Sequence, residues 1–268
     1  MNDNSGEKVL ITGATSGIGL EFAKIFYSKG YNLVLASRNK DKLEQTKSEI
    51  KTSENRDENT IAFYQSDLSQ NNSAQELYNK CKADGIVVNI LVNNAGVGIY
   101  GEHTDLTVTE VEQMINLNVT SLTTLCSLFG KEMKERKAGY ILNIASVAAY
   151  QAVPYFASYA ATKSYVLYFS EALSKEMENH NVVVSCLSPG HTETNFFSEA
   201  GIGNNPGGFF STIGRADVKK VAENGINILF DEKISAIPGI KNNIITWSNR
   251  LVSRKMSANI TKFLTKNP

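Results

Sequence analysis

The stretch Val9-Leu10-Ile11-Thr12-Gly13-Ala14-Thr15-Ser16-Gly17-Ile18-Gly19 decides the fold of this chain. Its first three residues form a short apolar run typical of a buried strand, and residues from Leu20 to Ser28 continue with helical periodicity. A helix that begins at such a turn offers unpaired N–H groups and a positive dipole end to an anion. Glycines let the backbone turn tightly and approach a pyrophosphate. The stretch predicts a dinucleotide-phosphate loop, although its spacing is GxxxGxG and an ordinary strand-to-helix turn is the alternative.

Five further apolar runs follow, each too short for a helix and each succeeded by a segment of helical periodicity. Strands separated in this way need crossover connections, which imply a parallel sheet with helices on both faces. The predicted fold class is therefore α/β, doubly wound, with ligands bound beyond the carboxyl ends of the strands. The six runs are Val9–Ile11, Leu33–Leu35, Ile61–Phe63, Ile90–Val92, Tyr140–Leu142 and Val182–Val184.

Composition limits the functions that the chain can have. Its 268 residues have a formal net charge of zero and are 42% hydrophobic, which fits one domain over residues 1–268. Balanced charge gives no reason to expect a nucleic-acid or anionic membrane partner. Cys81, Cys126 and Cys186 lack metal or redox spacing, so we expect reduced thiols, no metal and an intracellular, cytoplasmic location. Neither a secretory signal in Met1–Lys8 nor an apolar run of about 18 residues is evident, which predicts a soluble protein.

The end of the second run predicts which dinucleotide binds. An acidic residue about 20 positions beyond the glycines usually contacts free ribose hydroxyls, whereas an Arg accommodates a 2′-phosphate. Here the acid is absent, Ser37 stands near its place, and Arg38 follows. Because a guanidinium matches a phosphate in charge and geometry, the pattern favours NADPH over NADH. An ordinary surface Arg is the alternative.

The third and fourth runs end in polar residues that predict the walls of an adenosine site. Asp67-Leu68 follows the third run, and Asn93-Asn94-Ala95-Gly96 closes the fourth. Taken alone, the Asp is equally compatible with a turn or helix cap, and the Asn residues with a local hydrogen-bonded turn. Their order after a phosphate loop favours the adenosine site.

Candidate chemistry follows the fifth run. Ser146 ends it, and a helical stretch then carries Tyr159-Ala160-Ala161-Thr162-Lys163. Residues four apart share one helix face, so the ammonium can lie near the phenol. A neighbouring cation favours the phenolate and lowers a tyrosine pKa, which would make the phenol a proton donor or acceptor. YxxxK by itself is weak, because chance pairs are common on helices.

In their order and intervals, these residues resemble the short-chain dehydrogenase/reductase family from Lys8 to about Thr194. The resemblance implies a single-domain Rossmann fold, a bound NADPH/NADP+ and a homodimer or homotetramer built through helices around residues 110–135 and 155–178. The matching residues are Thr12-Gly13-x-x-x-Gly17-Ile18-Gly19, Asp67-Leu68, Asn93–Gly96, Asn118, Ser146, Tyr159-x-x-x-Lys163 and Pro189-Gly190-x-x-x-Thr194.

Each matching residue has a role in that family. The resemblance implies that Ser146 orients a substrate carbonyl, that Tyr159 donates the proton, and that Lys163 binds the nicotinamide ribose and lowers the tyrosine pKa. Asn118, in preference to Asn116, would hold a water of a proton relay. The complete predicted cofactor site is Gly13, Thr15, Ser16, Gly17, Ile18, Gly19, Ser37, Arg38, Asp67, Leu68, Asn94, Ala95, Gly96, Tyr159, Lys163, Pro189, Gly190, Thr192 and Thr194.

A substrate-binding loop is expected at residues 191–214, which contain four phenylalanines. Apolar and aromatic walls favour an apolar or aryl ketone over a sugar. His191 follows the Pro-Gly pair, but we interpret it, like His103 and His180, as non-catalytic. The predicted wall residues are Ile99, Tyr100, Val147, Ala148, Tyr150, Val153 and Tyr155.

A helical tail is predicted over residues 240–268, and it resembles the tail of a broad bacterial branch of the family. Its residues Ile244, Trp247, Leu251 and Val252 could cover the substrate cleft, form a subunit contact or touch a membrane. Membrane contact ranks last, because the basic residues are few.

The resulting hypothesis is an NADPH-dependent carbonyl reductase that acts on an apolar or aryl ketone or a β-ketoester. A 3-oxoacyl thioester reductase and a hydroxysteroid dehydrogenase are the enzyme alternatives. A non-catalytic NADPH sensor is a remote alternative, because Asn118, Ser146, Tyr159 and Lys163 are all present. The GxxGxxG spacing of sugar epimerases and dehydratases is not found at the first turn.

Overall fold

A parallel sheet of seven strands runs through the part of the chain that this computed structural model describes, residues 6–54, 60–194, 196–202 and 215–266. The strand order is β3-β2-β1-β4-β5-β6-β7, which reverses between β1 and β4. Doubly wound sheets bind ligands at that reversal, beyond the carboxyl ends of the strands. The strands are β1 Lys8–Thr12, β2 Asn32–Ser37, β3 Ile61–Gln65, β4 Ile90–Asn93, β5 Gly139–Ile144, β6 Val182–Leu187 and β7 Ser235–Ala236.

Helices connect the strands and cover both faces of the sheet, which confirms the predicted fold class. In the described residues these are α1 Gly17–Ser28, α2 Lys40–Glu54, α3 Ser73–Ala83, α4 Val108–Ile115, α5 Leu122–Arg136, α6 Ala157–Met177, α7 Phe196–Glu199, α8 Val218–Phe230, α9 Ile240–Ser248 and α10 Arg254–Thr265. A π-helical turn, Asn116–Ser121, joins α4 to α5. Short 3₁₀ turns are His103–Asp105, Val147–Tyr150, Glu178–His180 and Asn249–Leu251.

The core has two layers because successive residues of a strand point to opposite faces. Leu10 of β1 belongs to the layer that contains residues of α3, α5 and α6, such as Phe129. Val9 and Ile11 belong to the other layer, with Phe22 of α1 and residues of α8. Strands buried on both faces read as nearly continuous apolar runs, which explains why the runs identified them.

Helix α1 begins earlier than the sequence predicts, and one strand was not predicted. Helix α1 begins at Gly17 and not at Leu20, because Ser16 already adopts the extended backbone of a helix N-cap residue. Strand β7 was missed: it has two residues, Ser235–Ala236, and exists through its pairing with Cys186 and Leu187 of β6. A strand of two small residues has no periodicity from which it could be recognised.

The predicted substrate loop and tail are only partly described. Residues 195 and 203–214, with Phe209 and Phe210, lie outside the described residues. The tail contains two helices, α9 and α10, as the sequence predicts. None of the helices in the described ranges combines the length and apolarity needed to cross a bilayer.

Candidate active site

The glycine-rich loop after β1 is a tight turn held by the end of β4. Gly13 and Gly17 have φ values of +65° and +53°, a region that other residues seldom adopt. Asn94 Nδ2 donates to the carbonyls of Thr12 and Gly13 at 2.9 and 3.2 Å. Thr12 Oγ1 accepts from the backbone N–H of Ala95 at 3.0 Å. The Asn-rich strand end thus fixes the loop, a structural role that the sequence left open.

The loop is open to an anion at the first turn of α1. The side chain of Ser16, at the N-cap, makes no capping hydrogen bond, so it leaves the first N–H groups of the helix to another acceptor. A Cβ at Gly17 would lie 3.0 Å from Thr194 Cγ2, so a larger residue would crowd the turn. This backbone fits a pyrophosphate group.

The predicted adenosine end of the site combines polar and basic side chains. The hydroxyls of Thr15 and Ser37 lie 3.0 Å apart, and Arg38 is exposed beside them at the end of β2. Burial would raise the pKa of Asp67, but hydrogen bonds from Ser69 and Gln70 and the charge of Arg38 hold it below its usual value. Sequence reasoning missed Lys42, which lines the same cavity as Arg38.

A cavity of about 380 Å³ runs along the carboxyl ends of the strands, within the range of small-molecule sites. It brings together most of the predicted cofactor residues, from the phosphate loop to the end of β6. Gly19 and Asp67 do not line it: Gly19 packs against Gly13, and Asp67 accepts hydrogen bonds from Ser69. The predicted residues along its wall are Gly13, Thr15, Ser16, Gly17, Ile18, Ser37, Arg38, Leu68, Asn94, Ala95, Gly96, Ser146, Tyr159, Lys163, Pro189, Gly190, Thr192 and Thr194.

Tyr159 and Ser146 meet at this cavity from different elements. Ser146 follows β5 and begins the turn Val147–Tyr150, where its Oγ accepts from Ala148 N at 3.2 Å. Tyr159 lies in the first turn of α6. Burial raises the pKa of Tyr159 to about 12, against the opposing effect of a hydrogen bond with Ser146. The phenol is therefore protonated at neutral pH, the form required of a proton donor.

Lys163 lies one turn after Tyr159 and is buried with it. Its Nζ donates to Ile144 O at 2.8 Å and lies 5.9 Å from the centroid of the Tyr159 ring. Burial lowers the pKa of Lys163 to about 8. In this structure the effect of burial on the Tyr159 pKa outweighs that of the hydrogen bond with Ser146. That Lys163 lowers this pKa, as the family resemblance implies, stays a prediction.

Asn118 occupies the π-helical turn between α4 and α5. Its Nδ2 donates to Val97 O and Thr162 Oγ1 at 2.8 and 3.1 Å, and its Oδ1 accepts from Val97 N at 3.0 Å. A Cβ at Gly96 would lie 3.2 Å from that Oδ1 and 3.1 Å from Lys163 Nζ. Asn118 thus lies beside Lys163, which favours its assignment over Asn116. Such π turns are frequent at functional sites, and no sequence signal announced this one.

A chain of hydrogen bonds between buried polar side chains lies beneath the site, and sequence reasoning missed it. Asn93 Nδ2 donates to Asn143 Oδ1 at 2.9 Å, and Asn143 Nδ2 donates to Ser170 Oγ at 2.9 Å. These residues link β4, β5 and α6, the elements that carry the asparagine-rich turn, Ser146 and Tyr159. Buried networks of this kind rigidify the elements that they join.

The side of the cavity that was predicted to bind substrate is apolar and aromatic, but its lining residues differ in part from those predicted. Val147, Ala148 and Val153 line it as expected. Ile99, Tyr100, Tyr150 and Tyr155 do not, which corrects the predicted wall. Phe196 and Phe197 of the predicted substrate loop line the cavity. The lining residues that were not predicted are Phe156, Thr261, Leu264 and Thr265.

The correction has a physical reason in the packing of Tyr100. Its ring contacts Tyr155 and Phe156, with centroids 5.8 and 5.4 Å apart, so it supports the wall from behind. Its hydroxyl donates to Thr265 O of α10 at 2.8 Å. The tail therefore supplies part of the wall that nearer residues were expected to form.

The segment after β6 closes the nicotinamide end of the predicted site. Thr192 Oγ1 donates to Gly190 O at 3.0 Å, and Thr192 forms an isolated bridge with Ala216. His191 lines the cavity and contacts the Phe197 ring edge-on at 4.6 Å. No group of His, Cys, Asp and Glu in the described ranges could hold a metal ion.

The buried ammonium of Lys163 makes folding stability depend on pH. Its pKa is about 8 in the folded protein and 10.5 as the ordinary value, so between these pH values the unfolded chain binds more protons. Stability from this residue therefore rises with pH over that interval. Relative to Lys163→Met, the wild type is expected to gain unfolding free energy from pH 8 to 10. Denaturant unfolding of both proteins at several pH values gives the difference between their free energies of unfolding. A difference that stays constant or decreases as the pH rises contradicts the prediction.

Comparison with known proteins identifies the family. The short chain dehydrogenase family profile matches residues 7–204. The chain belongs to this family, which confirms the resemblance found in the sequence. It is 35% identical over 190 residues to human very-long-chain 3-oxoacyl-CoA reductase, covering 69% of this chain. It spans 59% of that relative's length.

Solved structures of the same family have the same architecture. A short-chain dehydrogenase from Sphingobium yanoikuyae in complex with NADPH is 26% identical, with a TM-score of 0.79 over 91% of this chain and 94% of that one. A bulky-bulky ketone specific alcohol dehydrogenase from Comamonas testosteroni is 26% identical, with a TM-score of 0.76 over 92% and 93%.

Proposed function

We propose that this protein is an NADPH-dependent reductase of apolar or aryl ketones or β-ketoesters. The observation that carries the proposal is the meeting of Ser146, Tyr159 and Lys163 at one cavity whose far end holds Arg38. The aromatic wall beside Tyr159, where the Phe196 ring lies 5.2 Å from the phenol ring, supports an apolar substrate. The NADPH-bound and ketone-specific relatives support the same assignment.

Four side chains have distinct roles in the proposed reaction. NADPH supplies the hydride that reduces the carbonyl carbon. Tyr159, protonated at neutral pH, donates its proton to the carbonyl oxygen. Ser146 Oγ donates a hydrogen bond to the same oxygen, and such a prepositioned donor lowers the barrier by a few kcal/mol. Lys163 binds the nicotinamide ribose and returns a proton to Tyr159, and Asn118 positions a water in that relay.

Arg38 is the residue proposed to select NADPH. Arg38→Ala is expected to weaken NADPH binding by about tenfold or more while NADH binding changes little, because only NADPH carries the 2′-phosphate. The measurement is the dissociation constant of each dinucleotide by fluorescence titration. Lys42→Ala tests whether the second cation in the cavity shares the phosphate. Lys40→Ala, in an exposed ion pair with Glu44, is the matched control. Equal weakening for NADPH and NADH contradicts the role of Arg38.

A carbonyl panel tests the substrate class. Aryl ketones, ethyl acetoacetate, an acetoacetyl thioester and an oxo-steroid are each assayed with NADPH and with NADH. The proposal expects the highest kcat/KM for the ketones or the β-ketoester with NADPH. A higher value for the thioester would favour the 3-oxoacyl alternative, which the similarity to human very-long-chain 3-oxoacyl-CoA reductase supports. A higher value for the steroid would favour a hydroxysteroid dehydrogenase.

A non-catalytic NADPH sensor is the remote alternative. We also propose a cytoplasmic location and a homodimer or homotetramer. Tight NADPH binding without oxidation across the panel would favour the sensor. The free cysteines Cys81, Cys126 and Cys186 are buried, in keeping with a reducing compartment. The exposed Tyr165 and Tyr168 of α6 support subunit contact through the long helices.

A further inference from the structure

Helix α10 is amphipathic, but its hydroxyl-bearing side chains face the protein and its large apolar side chains face outward. Ser257, Thr261 and Thr265 are buried, and the two Thr hydroxyls donate to carbonyls one turn earlier at 2.9 and 2.8 Å. Met256, Ile260 and Phe263, at i, i+4 and i+7, point away from the protein, and Phe263 is 84% exposed. The hydroxyl-bearing face is packed inward, and the apolar face is left to its surroundings.

Helix α9 and the turn after it repeat this arrangement. Thr246 is buried, and Asn242 packs against Gly190 at the cavity. Large apolar side chains again recur at the spacing of one helix face and are exposed. They are Ile240, Ile244, Trp247 and Leu251. Large exposed apolar patches are rare on soluble monomers and mark interaction sites.

The charge of this segment specifies the kind of partner. Residues 240–268 contain six basic residues and no acidic residue, so the rest of the chain carries a net charge of −6. Among them Lys241, Arg254, Lys255, Lys262 and Lys266 are exposed in the structure. Long basic side chains can keep their charge in water beside a buried apolar stripe. Apolar and basic groups on consecutive helices fit the interface of an anionic membrane.

We propose that α9, the turn after it and α10 form an interfacial docking surface for a bilayer of anionic phospholipid. The surface consists of two apolar stripes, which are Ile240, Ile244, Trp247 and Leu251 in the first and Met256, Ile260 and Phe263 in the second. The helices would lie in the plane of the headgroups, with Trp247 and Phe263 in the acyl boundary and the lysines at the phosphates. This revises the expectation that membrane contact ranks last. The six basic residues stand in the sequence, but only the structure shows the exposed apolar stripes beside them.

A second copy of the chain fits this surface less well. In a symmetric dimer the same patch contacts itself, so two strongly basic segments would face each other. An anionic bilayer instead complements their charge. The inward face of α10 is attached to the rest of the protein without any partner. Thr265 Oγ1 donates to Pro154 O at 3.1 Å, and the Tyr100 hydroxyl donates to the carbonyl of Thr265. Docking therefore requires no refolding of the tail.

Vesicle flotation tests the proposal on the full chain. Vesicles of phosphatidylcholine alone are compared with vesicles containing about one-third phosphatidylglycerol, in sodium chloride from about 0.1 to 0.5 M. The wild type is expected to float with the anionic vesicles and to dissociate as salt rises. Trp247→Ser/Phe263→Ser should lower partitioning about tenfold or more. Lys255→Glu/Lys262→Glu should lower it by at least about 25-fold, since each lysine contributes about fivefold.

Two controls separate docking from unfolding. Val87→Ser removes an exposed apolar side chain just before β4, and Lys80→Glu reverses an exposed charge on α3. Both should float like the wild type, and all variants should retain its circular dichroism and melting temperature. Absence of flotation, or equal flotation with neutral and anionic vesicles, overturns the proposal. So does an oligomer, measured by light scattering, that the stripe variant dissociates while vesicle binding is absent.

Discussion

Tyr159→Phe is expected to reduce ketone turnover by about 10²–10⁴-fold while NADPH binding stays within about twofold of the wild type. The change removes one oxygen atom from a buried side chain and leaves the ring in contact with Phe156 and Phe196. The substitution removes the proposed proton donor and leaves unchanged the glycine-rich loop and Arg38, the proposed contacts of the dinucleotide. Stopped-flow or steady-state oxidation of NADPH gives the turnover, and fluorescence titration gives the dissociation constant.

The matched control is Tyr168→Phe, which changes an exposed tyrosine of the same helix. It should turn over ketone like the wild type, because its hydroxyl lies away from the cavity. Turnover by Tyr159→Phe close to the wild-type rate would show that another group supplies the proton. Loss of NADPH binding in the same variant would instead show that the substitution acts on the cofactor site and not on proton transfer.

Gly19→Ala is expected to destabilise the protein and weaken NADPH binding by about 10–100-fold. A Cβ at this position would lie 2.2 Å from Gly13 O and 2.5 Å from Asn94 Nδ2, so the backbone of the phosphate loop must move. Overpacking of this kind costs about 1–3 kcal/mol. Helix propensity alone predicts the opposite sign, because Ala is favoured over Gly within a helix by up to about 1 kcal/mol. The clash is the larger effect, so the melting temperature should fall.

Gly130→Ala in α5 tests the sign of this argument. A Cβ at Gly130 would meet Ile141 Cδ1 and Met177 Cε at 3.7 and 3.8 Å, which is ordinary van der Waals contact. Here propensity is unopposed, and stability should rise by up to about 1 kcal/mol. Thermal melts and NADPH titrations of both variants are the measurement. Equal melting temperatures for the two variants would show that the contact at Gly19 carries no cost.

The sequence predicted the fold well because its signals are local. Each buried strand is a short run of β-branched and apolar residues, and the glycines after β1 require a backbone that few other residues adopt. The order of these signals along the chain is enough to specify crossovers and the family. The same order named the residues from Gly13 to Thr194 that the structure gathers at or beside one cavity. The choice of Asn118 over Asn116 stays a prediction.

What the sequence missed depends on contacts between distant segments. Strand β7 exists only because β6 offers it an edge, and Lys42 reaches the cavity only because α2 begins next to Arg38. The pKa of Tyr159 is decided by its burial, and burial depends on which aromatic rings pack around it. Neither the contacts between distant segments nor the burial of Tyr159 can be read from residue types and their spacing.

Thus the sequence alone determined the glycine-rich turn Thr12–Gly19, the parallel sheet and the set of polar residues at its carboxyl edge, since backbone preferences and apolar runs act over a few residues. Tertiary structure decided which wall residues face the cavity, how burial shifts the pKa values of Tyr159 and Lys163, and which face of α10 is exposed. A helix has the same periodicity whichever face packs inward. Which face packs inward depends on the neighbouring elements, because they either provide hydrogen-bond partners for its polar groups or remove those groups from water.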